Sequence, residues 1–181
     1  MKTTQSSSSD PSSAIVLRHD LQPGDLGRLI HLHGIVRARE HGFDATFEAD
    51  MAAQLAEIAQ SLNNGDRLWI AERAGQLVGC IAIVGLSPRD AELRWFLVDP
   101  AVRGLGLEER LLGEAIAFRR CRGYEYVFLW APQSAGAAAE LYHSAGFRKV
   151  GQRRGRRWGV EVVEDKYALR PSKNPASGGG G

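Results

Sequence analysis

Apolar positions along this chain recur at two spacings, and the order in which those spacings appear predicts its elements. A short apolar run, Ile15–Arg18, reads as a first strand. Pro23 suits the first turn of a helix, and His31, Ile35 and Arg39 follow at helical steps until Gly42 breaks the pattern. Asp44 or Thr46 can cap a second helix, whose apolar stripe is Met51, Leu55, Ile58, Ala59 and Leu62. "RLWIAERAGQLVGCIAIVG" then reads as two strands joined by a tight turn at Ala74-Gly75. A fourth apolar run, Leu93–Val98, ends at Asp99-Pro100, and Leu107, Leu111, Leu112, Ala115 and Ile116 resume a helical step. From Tyr126 to Val150 the pattern gives a strand, a loop, an Ala-rich helix ending near Ser144, and a new strand opened by Gly146-Phe147. Glu161 to Leu169 is the last strand. Strands joined first by hairpins and later by helices predict a mixed α/β sheet with helices on both faces. Residues 1–13 are Ser-rich and 171–181 are Pro/Ser/Gly-rich, so both ends are expected to be disordered around a single domain at 14–170.

The junction "AELRWFLVDPAVRGLGLEERLLGEAIAF" carries the clearest chemistry. A loop with Arg103, Gly104, Leu105 and Gly106 leads straight into the helix that Leu107 opens. The first turns of a helix present unpaired N–H groups and the positive end of its dipole. Glycines just before them remove side chains that would hold an anion away, and Arg103 adds a cation. That is a cradle for a pyrophosphate. It is not a Walker A loop, because no G-x-x-x-x-G-K-[ST] string occurs, and Glu109 occupies the third glycine position of a Rossmann fingerprint.

What remains is R-x-x-G-x-(G/A), with Arg103, Gly106 and Glu108, and it resembles motif A of the GNAT superfamily, the acyl-CoA-dependent N-acyltransferases. The hairpin upstream and "LYHSAGF" downstream resemble the same superfamily. "LHGIVRAREHGFDATFE", "ELRWFLVDPAVRGLGL" and "AIAFRRCRGYEYVFLW" narrow the likeness to the acetyltransferase half of bacterial fusions with a MarR-type winged-helix regulator, from about Ile15 to Leu169. The resemblance implies a mostly antiparallel sheet of six to seven strands that splays between strands 4 and 5, with acetyl-CoA as co-substrate in the gap. It implies that Arg103, Gly104, Leu105, Gly106, Leu107 and Glu108 hold the pyrophosphate, and that backbone amides near Leu97 and Val98 face the thioester. It makes Tyr142 the general acid and Glu92 the general base, with Glu92, Arg94 and Phe96 on one face by strand alternation. It also puts His33, Arg37, Phe43 and Phe47 on the helix-loop-helix over the acceptor. Two positions depart from the family pattern: Glu108 replaces Gly or Ala, and Ala135 replaces an Asn.

Composition bounds the partners. The chain has 181 residues, 44% of them hydrophobic and 24% charged, the balance of one ordinary domain. A net charge of +2 is too small to argue for nucleic acid on its own, so such a partner is not expected, and no apolar run reaches membrane-spanning length. Cys80 and Cys121 form no metal spacing or disulfide framework, which points to the cytoplasm. His31 and His33, two apart on a helix, face different sides, so no metal is expected. "RKVGQRRGRRWG", Arg148 to Gly159, reads as a solvated hairpin tip, with an anion-binding lip as its functional alternative. Two function classes stay open, for a monomer or homodimer. One is an N-acetyltransferase acting on a primary amine of a small molecule or peptide. The other is a GNAT-fold sensor or partner-binding module with weak or no turnover, which Glu108 and Ala135 favour.

Overall fold

The computed structural model describes residues 14–133 and 137–171; the expected tail at 1–13, that at 171–181 beyond its first residue, and Ala135 lie outside them. In chain order the elements are β1 (Ile15–Arg18), α1 (Asp25–His41), α2 (Ala45–Ser61), β2 (Arg67–Arg73), β3 (Gln76–Gly85), β4 (Asp90–Val98), α3 (Leu107–Arg122), β5 (Tyr126–Pro132), α4 (Ala137–Ser144), β6 (Arg148–Arg157) and β7 (Val160–Leu169). A 3-10 turn at Pro100–Val102 links β4 to the loop before α3. One sheet runs β1-β2-β3-β4-β5-β7-β6, antiparallel throughout except for the parallel pair β4–β5. Asp44 caps α2, its carboxylate accepting the Thr46 N–H at 2.9 Å.

Helices cover both faces. On one, Leu29 and Val36 of α1 and Met51 and Leu55 of α2 pack on Leu68, Ile70, Cys80, Ala82 and Leu97. On the other, Leu107, Leu111, Leu112 and Ala115 of α3 and Tyr142 of α4 pack on Ile81, Ile83, Leu93, Val127 and Leu129. The stripe read for α1 needs correction. His31 and Arg39 are exposed and Ile35 only half-buried, while Asp25, Leu29, His33, Gly34 and Val36 are the buried residues. The buried face of α1 contains a carboxylate and an imidazole, so hydrophobicity alone points to the wrong side.

The alternation assumed for β4 also fails, at one residue. Ala82 faces Arg94 and Cys80 faces Leu97, so Trp95 and Phe96 together oppose Ile81. Trp95 takes a left-handed φ of 50°, as a bulge permits. The extra residue reverses the parity of the strand. Ala91 and Leu93 face α3, but Leu97, two steps past Trp95, faces α1 and α2, and Phe96 joins the α3 side. Phe96 therefore leaves the face that Glu92 shares with Arg94. The same bulge accompanies a splay: β4 pairs with β5 only at Asp90, Ala91 and Glu92, against Tyr126, Val127 and Phe128.

Two buried groups pin the bulge. The Cys80 thiol donates to the Trp95 carbonyl at 3.0 Å, and His33 Nε2 lies 3.2 Å from the same sulfur. Burial pushes the His33 imidazole down to about 3 and the Cys80 thiol up to about 12, so both are neutral at physiological pH. At the start of α1 the fully buried Asp25 accepts two bonds from Arg18 of β1, at 2.7 Å each, and one from the Gln22 N–H at 2.7 Å. Burial alone would raise the Asp25 carboxyl, but Arg18, Gln22 and Arg28 outweigh it and hold it at about 2.

These burials have measurable consequences. Asp25→Ala leaves Arg18 with Glu72 alone and takes the shared acceptor from Arg28 and the Gln22 N–H, so unfolding free energy should fall by about 3 kcal/mol in a urea titration. A loss below about 0.5 kcal/mol would show that the network does not hold β1 to α1. For His33, the unfolded chain takes up a proton near pH 6.5 that the folded chain refuses until about 3. Stability should therefore be complete above pH 6.5 and decline by about 1 kcal/mol per unit as pH falls towards 4.5. His33→Asn should flatten that slope; an unchanged slope would place the proton uptake elsewhere.

Candidate active site

The splay leaves room beside β4, and a cavity of about 590 Å³ occupies it. Leu97 and Val98 form one wall, Leu141 and Tyr142 of α4 another, and Arg103, Gly104 and Glu108 the end towards α3. Gly104 and Gly106 hold φ values of 74° and 80°, and a Cβ at either would meet nothing within 4 Å. The backbone is thus exposed just where α3 begins with its unpaired N–H groups. Arg103 is braced, its Nε donating to the Val98 carbonyl at 3.1 Å and its Nη1 paired with Glu40 of α1. Glu108 turns a carboxylate into the same wall, and its Oε2 is buried without a hydrogen-bond partner among the described residues. The other loop residues read from sequence sit differently. Leu105 points outward, 64% exposed, and Leu107 packs its side chain in the core, so each has only its backbone to offer the cavity.

A second cavity, of about 200 Å³, lies under the α1–α2 corner. His33, Arg37, Phe43 and Phe47 line it, as does Glu92. Phe43, Phe47 and Trp158 form an aromatic cluster with ring centroids 4.6 to 5.4 Å apart. Trp158 reaches them because the β6–β7 turn folds back onto this corner, where the Asp44 N–H donates to the Trp158 carbonyl at 3.0 Å. Glu92 is bound to Arg94, Oε2 accepting from Nε at 2.7 Å and Nη2 at 2.6 Å.

Five residues line both cavities: Arg37, Phe96, Ala131, Pro132 and Tyr142. Tyr142 is 6% exposed and packed by Phe96, Phe147 and Tyr167, with the Tyr167 ring 5.1 Å away. Burial pushes its phenol up to about 12. Its hydroxyl makes no hydrogen bond to another described residue. Glu92, in contrast, borders only the smaller cavity.

The sequence reading placed Arg148 to Gly159 on a solvated hairpin tip; the structure leaves most of it exposed but corrects its place. Most of it is strand β6, and only Trp158 and Gly159 form the tip. Arg153 and Arg157 line the smaller cavity and share the carboxylate of Glu164 in β7, which is 5% exposed. Arg153 also lies over the Trp130 ring, 4.1 Å from its centroid. The available signal was parity: four residues apart on a strand, these arginines share a face.

Known proteins share sequence and fold with this chain. The description "Acetyltransferase (GNAT) domain" matches residues 64–149. The N-alpha-acetyltransferase RimI of Mycobacterium tuberculosis is 39% identical over 103 residues, covering 55% of this chain and 62% of that protein. N-acetyltransferase family 8 member 2 of Rattus norvegicus is 32% identical over 107 residues, 56% of this chain and 47% of that protein. The chain thus spans less than two thirds of either relative's length. Among solved structures, yncA from Salmonella typhimurium, determined with its cofactor acetyl-CoA, aligns with a TM-score of 0.65 at 19% identity, covering 91% of this chain and 98% of that one. None of these relatives supports the reading of a binding module without turnover. The chain therefore has the GNAT fold, its residues 64–149 match the GNAT acetyltransferase domain, and N-acetyltransferases are among the proteins it resembles.

Proposed function

We propose that this protein is an N-acetyltransferase that moves an acetyl group from acetyl-CoA directly to a primary amine of a small molecule or peptide. One observation carries the reading: two cavities, one ending at a helix N-terminus and the other lined by polar and aromatic side chains, share a wall at Tyr142. Direct transfer needs two ligands to meet at one point, and a shared wall supplies it. The open backbone at Gly104 and Gly106 fits a pyrophosphate, since no side chain fills the approach. Leu97 and Val98 follow the bulge where β4 has left β5, so their backbone groups are candidates to orient the thioester carbonyl.

Tyr142 meets the departing sulfur in this scheme. Its phenol, at about 12, stays protonated at neutral pH. That is well above a thiol's value of about 8.5, so it steadies the thiolate by a hydrogen bond rather than by surrendering its proton. Glu92 takes the proton from the amine on the acceptor side, its carboxylate held in place by Arg94. Two free thiols, Cys80 and Cys121, fit a reducing compartment such as the cytoplasm. No described helix is long and apolar enough to cross a membrane. We further read residues 14–170 as a single domain, and the likeness to the acetyltransferase half of winged-helix fusions as a matter of the strings quoted above. None of the relatives named is such a fusion.

Tyr142→Phe keeps the ring and its packing, so melting should barely move while turnover falls on the order of 10²-fold. Full turnover in a stable variant would remove the hydroxyl from the reaction. Glu108→Ala removes a negative charge from the wall where a diphosphate would lie. Calorimetric titration should show acetyl-CoA binding tightened by about 0.5–2 kcal/mol, the gain shrinking in high salt. The same change costs the α3 N-terminus about 0.3–1 kcal/mol of stability. Unchanged affinity would mean that Glu108 does not meet the phosphates.

A further inference from the structure

Arg37 is the cation common to both cavities among the described residues. The other arginines of these walls have carboxylate partners: Arg94 has Glu92, Arg103 has Glu40, and Arg153 and Arg157 share Glu164. Arg37 has none among the described residues. Its Nη1 lies 3.2 Å from His41 Nε2, and its Nη2 donates to the Phe96 carbonyl at 3.5 Å. Burial holds the His41 imidazole below its ordinary value, so that ring accepts from Arg37 as a neutral partner and leaves the charge uncompensated. Arg37 is half-buried, and a partly desolvated guanidinium without an anion is unfavourable, while a ligand carboxylate matches its planar fork.

The smaller cavity has the same imbalance, with four arginines against the carboxylates of Asp50, Glu92 and Glu164. A polycationic acceptor would meet a positive wall there. Distance narrows the ligand further. Arg37 borders the point where the reacting nitrogen must stand, so an anion that it holds must be attached close to that nitrogen. In an α-amino acid one carbon separates the two. A peptide N-terminus has an amide at that position. Phe43, Phe47, Met51 and Trp158 supply an apolar, largely aromatic wall for the remainder.

We infer that the acceptor is a free α-amino acid with an apolar or aromatic side chain, its carboxylate held by Arg37 and its side chain against Phe43, Phe47 and Trp158. The inference rests on the acetyl-transfer reading above and names its substrate class. Arg37 is then a specificity-determining residue: it reads the group beside the amine and takes no part in moving protons.

The test is a rate measurement of thiol release from acetyl-CoA. Each of the common α-amino acids is offered beside its carboxamide and its decarboxylated amine, with acetyl-CoA affinity followed by calorimetry. In the unaltered protein kcat/KM for apolar and aromatic amino acids should exceed that of both analogues by about a hundredfold. Arg37→Gln should erase that preference, lowering kcat/KM on the amino acid by roughly 10- to 100-fold through KM. The loss on the amino acid should exceed any loss on the decarboxylated amine or in acetyl-CoA affinity by at least about tenfold. Amines or amides acetylated as well as the acids, or acetyl-CoA bound with transfer to none of the panel, would overturn the inference and leave acetyl transfer standing. An Arg37→Gln loss confined to acetyl-CoA affinity would assign the guanidinium to the phosphates and overturn it too. Acetyl-CoA failing to bind the unaltered protein would instead overturn the acetyl-transfer reading, and this inference with it. If Arg37→Gln does not fold, the comparison of acids, amides and amines on the unaltered protein decides alone.

Discussion

At Trp95 the fourth strand spends one residue more than the third, and the site is arranged around that surplus. Before the bulge β4 keeps its place beside β5; after Glu92 no pairing joins them. The two cavities border that unzipped stretch. A left-handed φ on a tryptophan costs on the order of 1–3 kcal/mol and persists only where the surroundings enforce it. Here the enforcement comes from a buried thiol bonded to the Trp95 carbonyl and a buried imidazole beside that thiol. Both are kept neutral by their burial, so the clasp adds no charge to the core. Packing of α1 on the sheet and the opening of the slot are in this way one constraint.

Electrostatics then divides the opened space. One end has the amides of α3, Arg103 and an orphan carboxylate oxygen of Glu108. The other has arginines matched to carboxylates, except for Arg37 at the shared wall, which has none among the described residues. Tyr142 stands between them, nearly dry and held by three aromatic rings. Rigid aromatic packing fixes its position, while its hydroxyl is left without a described protein partner. That is the arrangement expected of a group whose partner is a ligand.

Much of this was legible in the sequence, for identifiable reasons. The strand and helix order follows from periodicity, and the loop before α3 declares itself through Arg103, Gly104 and Gly106. Three features were not legible. The buried stripe of α1 is misread because Asp25 and His33 are part of it, held by Arg18 of β1 and Cys80 of β3. Phe96 is assigned to the wrong face because alternation fails at a bulge, and nothing local in "ELRWFLV" announces one. Arg153, Arg157 and Trp158 look like a solvated tip because their companions Glu164, Phe43 and Phe47 come from other elements. In each case the missing information is tertiary.

The central claim is that the unzipped stretch after the Trp95 bulge is the acyl-CoA slot. Amide hydrogen exchange with and without saturating acetyl-CoA tests it most directly. The account predicts slowed exchange at Leu97, Val98 and the amides from Gly104 to Glu108, with the β1–β2 edge unchanged. Acetyl-CoA bound with no added protection at those amides, or with protection confined to another part of the sheet, would contradict it.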